Sequence, residues 1–158
     1  MALQNLAVRS KPIAVGDVAP DFMLLDQDKK EWRLSDALKR GSVVLSFFPL
    51  DFSPVCSTEM KCVTDEFARF AGKHAEVVGI SCDSFFVHKA FAESLGLKHR
   101  LLADMHREVC KAYGFYFADL NVASRGTVIV GKNGRVAWVQ ARELKNAMNL
   151  DEVIAGIS

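Results

Sequence analysis

The chain has 158 residues, half of them hydrophobic, the length of one domain that can bury a substantial core. Lys plus Arg total 20 against 19 for Asp plus Glu, so there is no basic field to draw nucleic acid or an acidic membrane, and neither is an expected partner. No apolar run is long enough to span a bilayer, and the first twenty residues lack the apolar core and cleavage pattern of an export signal. Four cysteines, at positions 56, 62, 82 and 110, are too sparse for the disulfide framework of a small secreted domain. A soluble, cytoplasmic protein with reduced thiols is expected.

Residues 1 to 19 read as a polar lead-in. Phe22 to Leu25 is a short strand, the cluster Asp26-Gln27-Asp28-Lys29-Lys30 a turn, and Glu31 to Leu34 its hairpin partner. Ser35 and Asp36 offer caps for a short helix through Leu38, which Gly41 stops. Ser42 to Phe48 is β-branched, aromatic and apolar at nearly every position, as suits a strand covered on both faces. A helix opened by Pro54 and closed by Gly72 follows, then a buried strand from Glu76 to Ser81 and a helix from Phe85 to Leu95 stopped by Gly96. Arg100 to Ala103 reads as a brief strand, and Met105 to Tyr113 as a helix ended by Gly114. Thr127 to Val130 and Val136 to Val139 flank Asn133-Gly134, a strong hairpin signal, and a last helix runs from about Asn149 to Ile157. Strands alternating with helices imply parallel pairing with covered faces, and the late hairpin adds antiparallel strands to the same sheet. No linker, repeat or low-complexity tract divides residues 1–158, so a single domain is expected.

The chemistry concentrates in Phe47-Phe48-Pro49-Leu50-Asp51-Phe52-Ser53-Pro54-Val55-Cys56-Ser57-Thr58-Glu59, where a strand, a turn and a helix start meet one cysteine. Pro54 presets the first-turn angle of a helix, which places Cys56 in that turn. Unpaired N–H groups there stabilise an anion, and the thiolate is the nucleophilic form of a cysteine.

Pro49, Ser53 and Cys56 fit the signature Pro-x-x-x-Thr/Ser-x-x-Cys, and PLDFSPVCSTE resembles the peroxidatic loop of the peroxiredoxins. Gly16-Asp17-Val18-Ala19-Pro20-Asp21-Phe22 is similar to the Gly-x-x-Ala-Pro-x-Phe entry of that family, and Arg125-Gly126 to its Arg-Gly before a late strand. The resemblance covers roughly residues 13 to 157 and lies nearest the bacterioferritin-comigratory-protein and alkyl hydroperoxide reductase branch. It implies an α/β, thioredoxin-like fold, with a mixed central sheet flanked by helices and an N-terminal extension. It also implies a thiol-dependent peroxidase for hydrogen peroxide and organic hydroperoxides, with no metal or organic cofactor. Cys56 would become a sulfenic acid, reduced by an internal cysteine or by a thioredoxin-like or low-molecular-weight thiol.

Residue by residue, the resemblance gives Arg125 as the cation over the sulfur, Ser53 as a hydroxyl donor, Pro49 as a shield against solvent, and Glu59 as a partner of the arginine. Read without it, Arg125 is a strand-edge charge, Ser53 a helix cap, Pro49 a strand terminator and Glu59 a complement to the helix dipole. Arg135 and Arg142 read as surface residues. Family members of this branch often carry a resolving cysteine five residues after the first, where this chain has Lys61; Cys62 follows one position later. Internal resolution is expected ahead of an external thiol, with Cys62 and then Cys82 as the candidate resolving thiols, whereas Cys110 reads as core. The sequence stops at Ser158 without the C-terminal Val-Cys-Pro of the larger dimeric members, so an interchain resolving cysteine of that type is not expected. Of the aromatics near the loop and at Phe115-Tyr116-Phe117, most read as core. Phe52 and part of the latter run are candidates for an apolar mouth or a homodimer contact.

Other classes fit less well. There is no Cys-x-x-Cys pair for zinc or dithiol exchange, and the position six residues after Cys56, where a cysteine phosphatase carries arginine, is Cys62. The remaining alternative is a non-enzymatic thioredoxin-fold sensor that reports oxidation of Cys56 to a partner.

Overall fold

The computed structural model describes residues 3–157. Its centre is a seven-stranded mixed sheet with strand order β2-β1-β5-β4-β3-β8-β9. The strands are β1 (Met23–Asp26), β2 (Glu31–Arg33), β3 (Ser42–Phe47), β4 (Ala75–Ser81), β5 (Arg100–Ala103), β8 (Arg125–Val130) and β9 (Val136–Arg142). β3, β4 and β5 run parallel, while β1, β2, β8 and β9 join antiparallel. The helices are α1 (Leu34–Leu38), α2 (Pro54–Asp65), α3 (Phe67–Gly72), α4 (Phe85–Leu95), α5 (Glu108–Ala112) and α6 (Leu150–Ala155).

The two-residue period of a strand divides the core into two layers. Val43, Leu45 and Phe47 of β3, with Val78 and Ile80 of β4, meet α1, α5 and the N-terminal segment through Leu34, Ala37, Val109, Ala112, Ile13 and Ala19. Val44, Val77 and Ile129 point the other way, onto Val63 of α2, Phe70 of α3, and Val153 and Ile154 of α6. On that second face Cys56 and Met60 of α2 also pack with Phe48 and with Phe91 of α4. No helix among the described residues is long and apolar enough to cross a membrane.

Several elements depart from the sequence expectation. The helix expected over 54–72 is interrupted at Glu66, whose φ of −100° and ψ of 16° leave the helical well. α1 begins at Leu34 rather than being capped by Ser35 or Asp36; its donors turn instead to Asp21, which accepts from both the N–H and the Oγ of Ser35 at 2.9 Å. The helix expected from Met105 starts only at Glu108, because Arg107 takes a left-handed φ of 60° and the Asp104 carboxylate accepts the N–H groups of Val109 and Cys110. A small hairpin of β6 (Tyr116–Phe117) and β7 (Val122–Ala123) lies outside the main sheet; strands of two residues leave no period to read. The Asn133-Gly134 turn closes β8 and β9 as expected, with Gly134 at a φ of 80°.

Candidate active site

β3 delivers the site through Phe47, after which Phe48 and Pro49 stay buried and the chain turns through 50–53 into α2. Phe52 has a left-handed φ of 66°, unusual for a bulky side chain. Ser53 occupies the N-cap position, but its Oγ donates to the Leu50 carbonyl at 2.9 Å instead of capping the helix. Pro54 takes the first helical position, where its missing N–H costs nothing. Cys56 follows in the first turn, its side chain wholly buried.

Antiparallel to β3, β8 starts beside the same end of the sheet, with Gly126 opposite Phe47. That register sets Arg125 over the start of α2, and its Nη2 donates to Cys56 Sγ at 2.9 Å. Nη1 donates to Glu59 Oε1 at 3.2 Å and Nε to the Leu144 carbonyl at 3.0 Å, so the guanidinium is fixed along three directions. Gly126 has a packing reason: a Cβ there would fall on the ring of Phe115, which stacks on Phe47 with centroids 5.1 Å apart.

Glu59 lies nearly one turn beyond Cys56 and is buried. Its Oε2 accepts from Arg142 Nη2 at 3.2 Å and from the Met148 N–H at 2.8 Å. Arg142 was expected at the surface and is instead part of this cluster: its side chain is 6 % exposed and Nη1 donates to Thr127 Oγ1 at 3.0 Å. Burial pulls its guanidinium below the ordinary arginine value, opposed by the charge of Glu59. The hairpin register pairs Arg125 with Arg142 across β8 and β9, but a shift between Ile129 and Val130 breaks the count outward from the Asn-Gly turn, so the sequence carries no signal for this pairing. Two guanidinium cations against one carboxylate leave an excess positive charge beside the sulfur. A low-polarity enclosure strengthens such a field, and it acts on any negative charge developing there.

The structure thus brings Cys56, Arg125 and Glu59 together and buries Pro49 and Ser53 alongside in the loop to different degrees. It does not bring Cys62 or Cys82 to Cys56. Cys62 is exposed on α2 six positions on, a rise of about 9 Å and about a third of a turn around the helix, beyond disulfide reach while the helix is intact. Cys82 packs in the layer on the opposite face of the sheet, where its Sγ lies 3.9 Å from that of Cys110. Cys110 is core as expected, and the bond to Cys82 together with burial pushes its thiol far up, which makes it a poor nucleophile. All four cysteines are free.

The AhpC/TSA family profile matches residues 15–139. A chloroplastic 2-cysteine peroxiredoxin of Chattonella marina var. antiqua is 37 % identical over 152 residues, spanning 90 % of this chain and 77 % of the relative. Among solved structures, peroxidoxin BcpB from Mycobacterium tuberculosis superposes with a TM-score of 0.83 at 30 % identity, covering 90 % of this chain and 95 % of that one. Mycobacterium tuberculosis AhpC gives 0.83 at 28 % identity, covering 92 % and 96 %. The match over most of the length, around a buried cysteine held by an arginine, shows that the chain belongs to the AhpC/TSA family and is a peroxiredoxin, a thiol-dependent peroxidase of thioredoxin-like fold.

Proposed function

We propose that Cys56 is the peroxidatic thiol. Its thiolate attacks the terminal oxygen of a hydroperoxide, the O–O bond breaks, and the departing oxygen takes a proton to leave as water or an alcohol, with Cys56 left as the sulfenic acid. The observation that carries this is the 2.9 Å contact of Arg125 Nη2 with Cys56 Sγ inside a buried cluster that holds excess positive charge. Arg125 stabilises charge on both the attacking sulfur and the departing oxygen, and Glu59 fixes its orientation. Pro49 keeps bulk water from the sulfur. Ser53 can add its hydroxyl once it rotates off the Leu50 carbonyl.

Leu50 and Phe52, both exposed in the loop, give the approach an apolar rim, which supports organic hydroperoxides as substrates beside hydrogen peroxide. For reduction of the sulfenic acid we place an external thiol, thioredoxin-like or small, ahead of Cys62, because Cys62 reaches Cys56 only if α2 unwinds. Cys82, engaged with Cys110 on the far face, comes last. A homodimer contact would rest on the half-buried Tyr116 and Phe117, since Phe115 is committed to the core. A reducing compartment suits four free thiols, and the cytoplasm is the location we favour.

Replacement of Cys56 by serine tests the assignment. Loss of thiol-dependent hydroperoxide consumption is the expected result, and unchanged consumption would overturn it. A sensor without turnover would oxidise once per chain and stop, whereas a peroxidase consumes many equivalents when a thiol is supplied.

A further inference from the structure

Cys82 and Cys110 stand apart from the site at Cys56, in the core layer on the opposite face of the sheet. Their sulfurs come from positions 28 apart in the chain and lie 3.9 Å from each other. A disulfide needs about 2.0 Å between sulfurs, so side-chain rotation has to close roughly 2 Å. One residue holds both backbones in place. Asp104 donates its N–H to the Ser81 carbonyl at 2.9 Å, beside Cys82 at the end of β4. Its carboxylate accepts the N–H groups of Cys110 at 2.8 Å and Val109 at 3.1 Å at the start of α5. The facing of the two sulfurs is thus built into the junction of β4, β5 and α5. An Asp104 oxygen and the two sulfurs also lie within 4.8 Å of one another, as ligands of a cation would. Both Asp104 oxygens are already taken by the backbone of α5, however, and the chemistry left to the pair is that of two thiols.

Those thiols are unequal. Cys110 is wholly buried and its Sγ donates to the Arg107 carbonyl at 3.4 Å. The contact with Cys82, then burial, then the charge of Asp104 push its pKa up, so it keeps its proton. Cys82 retains 9 % exposure, and its sulfur is the one that a small oxidant meets first. In a second step, proximity offsets the weak nucleophilicity of Cys110, because a thiol already in contact with its target reacts as part of one molecule. Asp104, whose carboxyl is itself pushed up by burial, is placed to take the proton that Cys110 must lose.

We propose that Cys82 and Cys110 are a second redox centre of this chain, a dithiol that reduces one hydroperoxide and closes an intramolecular disulfide. The Cys82 thiolate attacks the terminal oxygen, the O–O bond breaks, and the departing oxygen takes a proton to leave as water or an alcohol. Cys82 is left as the sulfenic acid. Cys110 then attacks the Cys82 sulfur; the S–S bond forms, and the hydroxyl leaves as water with the proton from Cys110. The pair gives up two electrons, which the O–O bond receives. An external thiol reopens the disulfide slowly, at the Cys82 sulfur, since little of it is exposed. Cys82 ends a strand rather than opening a helix, and no guanidinium among the described residues donates to its sulfur, so it reacts more slowly than Cys56. The pair is therefore oxidised only when hydroperoxide exceeds what Cys56 consumes. None of these steps involves Cys56, which faces the other side of the sheet.

The test uses the full-length Cys56→Ser/Cys62→Ser protein, in which this pair supplies the only thiols. It is held with excess hydrogen peroxide and no thiol, then unfolded in N-ethylmaleimide and weighed intact and after non-reducing digestion. The expected product is lighter by about 2 Da, takes up no maleimide, and yields a linked Cys82–Cys110 peptide. Dithiothreitol should restore both thiols. Adding Cys110→Ser should divert the reaction to a sulfenic acid on Cys82 that dimedone traps. Maleimide on both cysteines of the peroxide-treated chain, a sulfinic acid on either without linkage, or a disulfide that joins two chains would each overturn the pair. Should Cys110→Ser fail to fold, the Cys56→Ser/Cys62→Ser protein decides alone. Because that protein lacks Cys56, failure of the pair leaves the peroxidase reading standing, and failure of Cys56 to oxidise in wild type leaves the pair to be judged by its own product.

Discussion

Glu59 connects one sulfur, two arginines and a backbone N–H, and the behaviour of the site follows from how few partners each of these has left. Arg125→Ala removes the donor on Cys56, and removing one such preorganised donor costs about 10²–10³ in rate. Rapid-mixing measurement of Cys56 oxidation should show that loss, and Arg125→Lys should recover little of it, because an ammonium cannot hold Sγ, Glu59 and the Leu144 carbonyl at once. Glu59→Gln leaves two buried guanidinium groups with no countercharge, so urea unfolding should report a loss of about 3–5 kcal/mol. A stability within ~1 kcal/mol of wild type would mean that solvent reaches this cluster. Cys56, Arg125 and Glu59 were legible in the sequence because they sit in recognisable runs. Arg142 was not, because nothing beside it in the chain marks it; only the β8 and β9 register carries it inward.

At the scale of elements, α2 positions Cys56 and limits which thiols can meet it. If that helix stays intact, Cys56 and Cys62 cannot meet, so one equivalent of hydroperoxide without added thiol should leave no Cys56–Cys62 peptide on non-reducing mapping. Such a peptide in high yield would show that the first turns of α2 unwind readily. β8 makes the second requirement. Gly126→Ala places a methyl on the Phe115 ring, and overpacking of this kind costs about 1–3 kcal/mol, which a lowered urea midpoint should register. Arg125, one residue away, should lose alignment as the strand shifts, and oxidation of Cys56 should slow with it. The strands and α4 could be read from apolar runs and their Gly and Pro stops. The late start of α5 and the capping of α1 by Asp21 could not, since each depends on a residue outside the helix itself.

At the scale of the whole molecule, a buried histidine titrates against the fold. His99 lies between Thr64 and Met60, with Nδ1 2.8 Å from Thr64 Oγ1, and burial lowers its pKa from 6.5 to about 4. A histidine with a depressed folded value is neutral in the native state and takes up its proton more readily when unfolded. Its contribution is therefore intact above pH 6.5 and falls away as pH drops toward 4, by about 1.4 kcal/mol per unit and ~3 kcal/mol in all. Urea unfolding at pH 7 and pH 4 should show wild type losing that much more than His99→Gln, a comparison in which the buried carboxyls cancel. Equal losses would place the His99 ring in contact with water. The mixed class of sheet was legible from strands alternating with helices and a terminal Asn-Gly hairpin. Strand order was not, because the neighbours of β3 come from parts of the chain far apart in sequence.

The most direct measurement is to expose the reduced protein to one equivalent of hydrogen peroxide in the presence of dimedone and to locate the adduct by mass spectrometry. The sulfenic acid should be trapped at Cys56, with Cys62, Cys82 and Cys110 recovered as free thiols, and the adduct should vanish in Cys56→Ser and form far more slowly in Arg125→Ala. An adduct at another cysteine, or a yield at Cys56 indifferent to Arg125, would contradict a peroxidatic Cys56 activated by the arginine at its side.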